Sequence, residues 1–214
     1  MNGIVLYMAR LTKEPRERNR SLDLGECASR RRGDDLLAAI FQATISILAE
    51  VGFTGLSLEA VAHRAQTGKA SIYRRWHTKV DLVIDALAYE IHKCEVPLDL
   101  SDPRTGLITK LNSMCDAFAG DLGKAMAGCI SEFQRQPKLQ QAAEEQIINP
   151  RKEQMKRSLE EAALAGQIKA GDIHPMVTDL PIAFAMHSIT FEGRPPTRDE
   201  IENFVDSVML PLLK

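Results

Sequence analysis

From Leu37 onward, apolar residues return at steps of three and four, and no segment alternates at a step of two. That spacing lays one apolar stripe along each of a series of helices and leaves half-buried strands without a pattern. A first helix is predicted from Asp34 to Glu50, with Leu37, Ile40, Phe41, Ile45, Leu48 and Val51 turned inward. Asp34 and Asp35 suit its positive end, and Gly52 stops it. A later helix from Lys79 to about Glu95 carries Leu82, Val83, Ala86, Leu87 and Ile91, and ends before Pro97. Further helices are predicted near 103–120, 122–134, 137–165, 175–192 and 198–210, divided by Gly120, Pro137, the stretch Gly166–Pro175 and the stretch Gly193–Pro196. Pro150, inside the third of these, predicts a kink or a split. The expected fold is all-α, with about nine helices.

Between those first two helices lies the most specific segment. Ser57-Leu58-Glu59-Ala60-Val61-Ala62-His63-Arg64-Ala65 reads as a short helix, Gln66-Thr67 as a tight turn, and the stretch from Thr67 to Lys79 as the recognition helix that follows. Two helices joined in this way make a helix-turn-helix, whose second member enters the major groove of DNA. Leu58, Val61, Ala62, Ile72 and Trp76 supply a small core, which leaves Thr67, Lys69, Ser71, Tyr73, Arg74 and Arg75 free for phosphates and base edges. Thr78 and Asp81 have capping-box spacing, and Lys79 sits beside that cap.

Phe53-Thr54-Gly55-Leu56-Ser57-Leu58-Glu59-Ala60-Val61-Ala62, then Lys69-Ala70-Ser71-Ile72-Tyr73-Arg74-Arg75-Trp76 and Thr78-Lys79, resemble the TetR family of transcriptional regulators. The resemblance is dense over residues 34–80. Beyond them it extends to the helical layout and to Arg135-Gln136-Pro137 and Asn149-Pro150-Arg151. It implies a sequence-specific DNA-binding homodimer, a repressor released from a palindromic operator by a small apolar or amphipathic ligand. It also implies Lys69, Tyr73, Arg74 and Lys79 as principal DNA contacts, with Thr67, Ser71, Arg75 and Ser57 second. One departure stands out: Gln66-Thr67-Gly68 occupies the place where the family usually has Gly-Val-Ser, so a hydroxyl has moved by one position. Three regions follow: a flexible basic arm over 1–33, closed by Arg30-Arg31-Arg32; a DNA-binding head over 34–80; and a ligand-binding and dimerisation body over 81–214.

Charge fits this division. The net charge is only −2, but residues 1–80 hold 13 Lys or Arg against 8 Asp or Glu, whereas residues 81–214 hold 14 against 21. The basic end attracts phosphate and the acidic body avoids it. Cys27, Cys94, Cys115 and Cys129 form no C-x-x-C pair, which predicts reduced thiols and a cytoplasmic location. The apolar run Ile4–Ala9 is too short for a leader, and no stretch stands out as a membrane span. His63, His77, His92, His174 and His187 lie too far apart for a local metal motif, and no cofactor is expected. No G-x-S-x-G or H-E-x-x-H is present, so an enzyme on a helical bundle is the weakest of three readings. The other alternative is a helical small-molecule binding protein without an operator.

Two sets of body residues are candidates for binding. For the dimer interface they are Val177, Leu180 and Phe184, followed by Ile201, Phe204, Val205, Val208 and Met209 on a last helix capped by Thr197 and Glu200. For the ligand pocket they are the large, pliable side chains Met114, Phe118, Met126, Phe133, Met155, Phe184 and Phe191, with His187 as a polar handle.

Overall fold

The computed structural model of the chain describes residues 24–169 and 176–213, with side chains described from Gly33 onward. All regular structure among them is helical. The segments are α1 (Leu24–Gly55), α2 (Leu58–Arg64), α3 (Lys69–Tyr73), α4 (Lys79–Lys93), α5 (Pro103–Phe118), α6 (Asp121–Ile130), α7 (Pro137–Ala143), α8 (Asn149–Leu164), α9 (Met176–His187), α10 (Arg198–Phe204) and α11 (Leu210–Leu213). Three π-helical turns, Glu144–Ile148, Ser188–Glu192 and Val205–Met209, join α7 to α8, extend α9, and join α10 to α11. The described residues therefore make nine continuous rods, as the spacing predicted.

The first helix begins earlier than expected. Its backbone is helical from Leu24, so the helix takes in residues 24–33 of the expected arm, including the Arg30-Arg31-Arg32 triplet. The cause is local: arginine and alanine favour helix, and the run holds no proline. The rest of the expected arm lies outside the described residues, as does His174. Gly52 does break α1, at φ 69° and ψ −178°, a conformation open to glycine, and the residues to Gly55 form a short turn beyond that kink. Val51, expected inward, is instead 55% exposed, at the last position before the break at that glycine.

The expected kink at Pro150 takes a particular form. A proline inside a helix lacks an N–H and its ring meets the carbonyl four residues back. Here one extra residue is inserted just upstream: the Asn149 amide bonds the Glu144 carbonyl, five residues back. The same device recurs at Pro211, where the Leu210 amide bonds the Val205 carbonyl. These two π turns each end two residues before a proline and let the rod continue instead of splitting.

Two hydrophobic cores result. One runs from Ile40, Phe41 and Leu48 of α1 through Val61, Ile72 and Trp76 into Leu82–Ala88 of α4, and on to Leu122, Ala125, Cys129, Leu139 and Ile147. The other joins Leu107, Leu111, Cys115 and Phe118 of α5 with Leu159, Val177, Ala185, Ile201, Val205 and Met209. Met126 touches both. Burying each of these large side chains contributes about 1.5–3 kcal/mol. By length and composition alone Gly33–Gly55 could cross a membrane, with a mean hydropathy of 1.8, which corrects the expectation that no stretch would qualify. Its apolar face is spent on the first core, where Ile40, Phe41 and Leu48 are at most 1% exposed.

The last rod corrects the predicted dimer stripe. Val177, Ile201, Val205 and Met209 are at most 2% exposed within the single chain. Steps of four carry Ile201, Val205 and Met209 down the side that faces α5, so they close the chain's own core. Leu180, Phe184, Phe204 and Val208 are half-buried on the flank, where the Phe184 and Phe204 rings stack 4.3 Å apart.

Candidate DNA-reading head and ligand cavity

The helix-turn-helix forms where its sequence predicts. Ser57 caps α2, its hydroxyl accepting the Ala60 amide at 3.1 Å. At the other end the Gln66 amide bonds the His63 carbonyl and the Thr67 amide bonds the Ala62 carbonyl, a Schellman closure. That closure needs a left-handed residue, and Gln66 takes it with φ 50°, the one positive φ outside glycine among the described residues. Gly166 closes α8 with the same pair of bonds at φ 72°. Gly68 then caps α3 without a side chain to offer.

Leu58, Val61, Ala62, Ile72 and Trp76 are all buried, as predicted. The face they leave outward presents Lys69, Tyr73, Arg74 and Arg75 exposed, with Thr67 and Ser71 half-buried beside them. Several of these side chains are already engaged. The Tyr73 hydroxyl donates to Glu59 Oε1 at 2.5 Å, which lowers the Glu59 carboxyl and raises the phenol from their ordinary values. Arg75 donates to the Ser71 carbonyl at 3.2 Å. Lys79 points inward: its ammonium donates to the carbonyls of Phe53 at 2.9 Å, Thr54 at 3.4 Å and Leu56 at 3.5 Å, and sits 4.4 Å above the Phe53 ring. In this state it staples the segment beyond the Gly52 kink to the start of α4.

Rigid attachments hold the head on its neighbours. Arg64 grips Glu50 with both terminal nitrogens, at 2.7 and 2.8 Å, and so ties α2 to α1. Thr78 and Asp81 form the predicted capping box at the start of α4. Seven residues into α4, buried Asp85 accepts the Trp76 indole N–H at 2.8 Å. Loss of water around it, more than any neighbouring charge, pushes the Asp85 carboxyl up to about 6.

The far half of α4 meets a cavity of about 270 Å³ lying between the two cores. Its wall takes Leu87 and Ile91 from α4, Met114 and Phe118 from α5, Met126 and Cys129 from α6, Phe133 from the following turn, Ile147 and Met155 from the α7–α8 rod, and Ile182 and Met186 from α9. Five predicted ligand residues thus converge: Met114, Phe118, Met126, Phe133 and Met155. Three do not line it. Phe184 is committed to its stack on Phe204, and His187 and Phe191 lie outside on the surface, Phe191 79% exposed. A single turn of α9 separates inner from outer positions, and sequence spacing alone did not tell them apart. The polar groups on the wall were missed. Lys110 stands among Leu107, Leu111 and Met114, and Arg151 stands at four-residue steps between Ile147 and Met155. A cation within an apolar stripe was the available signal.

Two buried thiols on or near this wall, Cys115 and Cys129, are held in the unreactive protonated form. Burial pushes Cys115 up to about 11 and Cys129 up to about 12.

Comparison with known proteins gives one consistent answer. Residues 40–86 match the family profile described as bacterial regulatory proteins, tetR family, and residues 97–208 match the tetracyclin repressor-like, C-terminal domain. An uncharacterized HTH-type transcriptional regulator of Mycobacterium tuberculosis is 30% identical over 182 residues, 85% of this chain and 88% of that protein. The DNA-binding transcriptional repressor TetR of Mycobacteroides abscessus is 26% identical over 185 residues, 86% of this chain and 96% of the relative. Among solved structures, the flavonoid-responsive regulator FrrA shares the fold at a TM-score of 0.61 and 20% identity, over 85% of this chain and 96% of that one.

Proposed function

The chain belongs to the tetR family of bacterial regulatory proteins, and from that premise we propose that it works as a homodimeric repressor which a small molecule lifts from its operator. It is a DNA-binding transcriptional regulator. The observation that carries the repressor reading is the placement of α4. Its first half holds the recognition segment through Trp76 and Asp85, and its second half walls the cavity with Leu87 and Ile91.

In this mechanism Lys69, Arg74, Thr67 and Ser71 read base edges, while Tyr73, Arg75, Ser57 and Lys79 hold phosphates and set register. Tyr73 and Lys79 reach phosphate by exchanging their present partners, Glu59 and the turn carbonyls. Two heads spaced by one turn of duplex, roughly 34–36 Å, read a palindrome. The pairing uses the half-buried flank of Leu180, Phe184, Phe204 and Val208. A ligand in the cavity favours a conformation in which α4 tilts and the spacing of the heads is lost. Such a ligand must have differential affinity for the two states; the description of FrrA as flavonoid-responsive supports a small-molecule effector, and that of the M. abscessus relative as a repressor supports repression. The site of action is the bacterial cytoplasm.

Gel shift with fragments of DNA upstream of the chain's own gene tests this. A salt-sensitive complex on a palindromic fragment, with two chains per site, is expected; retention of ligand without any such fragment would favour a binding protein with no operator.

A further inference from the structure

The cavity is apolar over most of its wall, yet Lys110, Arg151, Lys152 and Glu95 all stand on it. Lys152 is answered by Asp179 at 2.7 Å. Among the described residues Glu95 is the one carboxylate on the wall that faces both Lys110 and Arg151, so the two cations share a single negative charge. Lys110 donates to the Val96 carbonyl at 2.7 Å, and Arg151 donates from Nη1 to the Ile147 carbonyl at 2.9 Å. The Arg151 Nε is different. It is buried and has no hydrogen-bond partner among the described residues, although Glu95 Oε1 lies 3.4 Å away, out of line for a bond.

Two cations that share one carboxylate, one of them with an idle N–H, are costly to hold beside apolar surface. Burial is the main cause that drags both Lys110 and Arg151 below their ordinary values, which an anion would reverse. The geometry points to an organic carboxylate as the ligand of this cavity, its head on Arg151 and Lys110 and its apolar body against Met114, Phe118, Met126 and Met155. The inference deepens the reading of the cavity as the effector site and rests on it. A carboxylate matches the single spare charge, whereas a phosphate monoester brings up to two into a space of about 270 Å³.

Isothermal titration of the full chain with hexanoate, octanoate and decanoate, each against the alcohol of the same length and against octyl phosphate, tests this. At least one carboxylate is expected to bind roughly tenfold to a hundredfold tighter than its alcohol, the span of a charge-assisted hydrogen bond. Arg151→Met is expected to erase that preference while leaving the alcohol's affinity in place, and Arg151→Lys to keep part of it. Because Arg151 also bonds Ile147, Lys110→Met provides a second deletion of charge from a separate helix. The inference is overturned if no carboxylate binds, if acid and alcohol bind alike, if octyl phosphate binds tightest, or if the preference survives in both Met variants. No DNA is present in the titration. A chain that binds octanoate but no palindrome would overturn the repressor reading and leave this one intact.

Discussion

The Trp76 indole donates its N–H to Asp85 across 2.8 Å of buried space, joining the end of the recognition segment to the middle of α4. The carboxylate sits there with only 6% of its residue exposed, and burial raises it to about 6. The folded chain therefore favours the protonated acid. Its contribution to stability is fully present below the unfolded value near 3.8, falls as pH rises towards about 6, and is gone above that.

Asp85→Asn keeps an acceptor for Trp76 and removes the buried charge. Above pH 6 the variant is expected to be more stable than the wild type by up to about 3 kcal/mol. The difference in Tm between the two should shrink as pH falls from 6 to 4, and a constant difference would contradict the assignment.

Gln66 performs in a left-handed conformation what Gly166 performs in the identical closure. Gln66→Gly is expected to stabilise the chain by about 1 kcal/mol, since relief of the side-chain strain exceeds glycine's added freedom in the unfolded state. Chemical denaturation with an unchanged slope reads the gain directly.

Lys79→Ala is expected to lower stability by roughly 1 kcal/mol through loss of the turn carbonyls' partner. It should also weaken DNA binding on every sequence and flatten its salt dependence. Arg74→Ala, in contrast, is expected to leave stability unchanged and to relax preference at one base position. Binding across a set of operator variants at two salt concentrations separates the patterns; identical profiles would undo the division of roles.

Buried Cys115 and Cys129 hold almost no thiolate near neutrality, given values of about 11 and about 12. Labelling of the native chain by a thiol reagent at pH 7.5 is expected to leave both unmodified until denaturant is added.

Val208→Glu places a charge on the half-buried flank of the last rod, outside the inner series Ile201, Val205 and Met209. Sedimentation equilibrium should find monomers with the wild-type helix content. A dimer of unaltered strength would move the interface elsewhere.

Most of the head was written in the local sequence. Caps at Ser57 and Thr78, the turn at Gln66, the stop at Gly52 and the inward set from Leu58 to Trp76 depend on residues a few positions apart, and local rules reach that far. Rod boundaries in the body followed from prolines and glycines for the same reason. Which side of a rod meets another rod was decided only by assembly. Steps of four made Val205 and Met209 fit for an interface, but the register of α10 on α5 turned them inward. The same docking put Phe184 against Phe204 and left Arg151 facing the cavity with an idle N–H. Periodicity gives a helix an apolar face without naming its neighbour, and packing between distant segments supplies that neighbour.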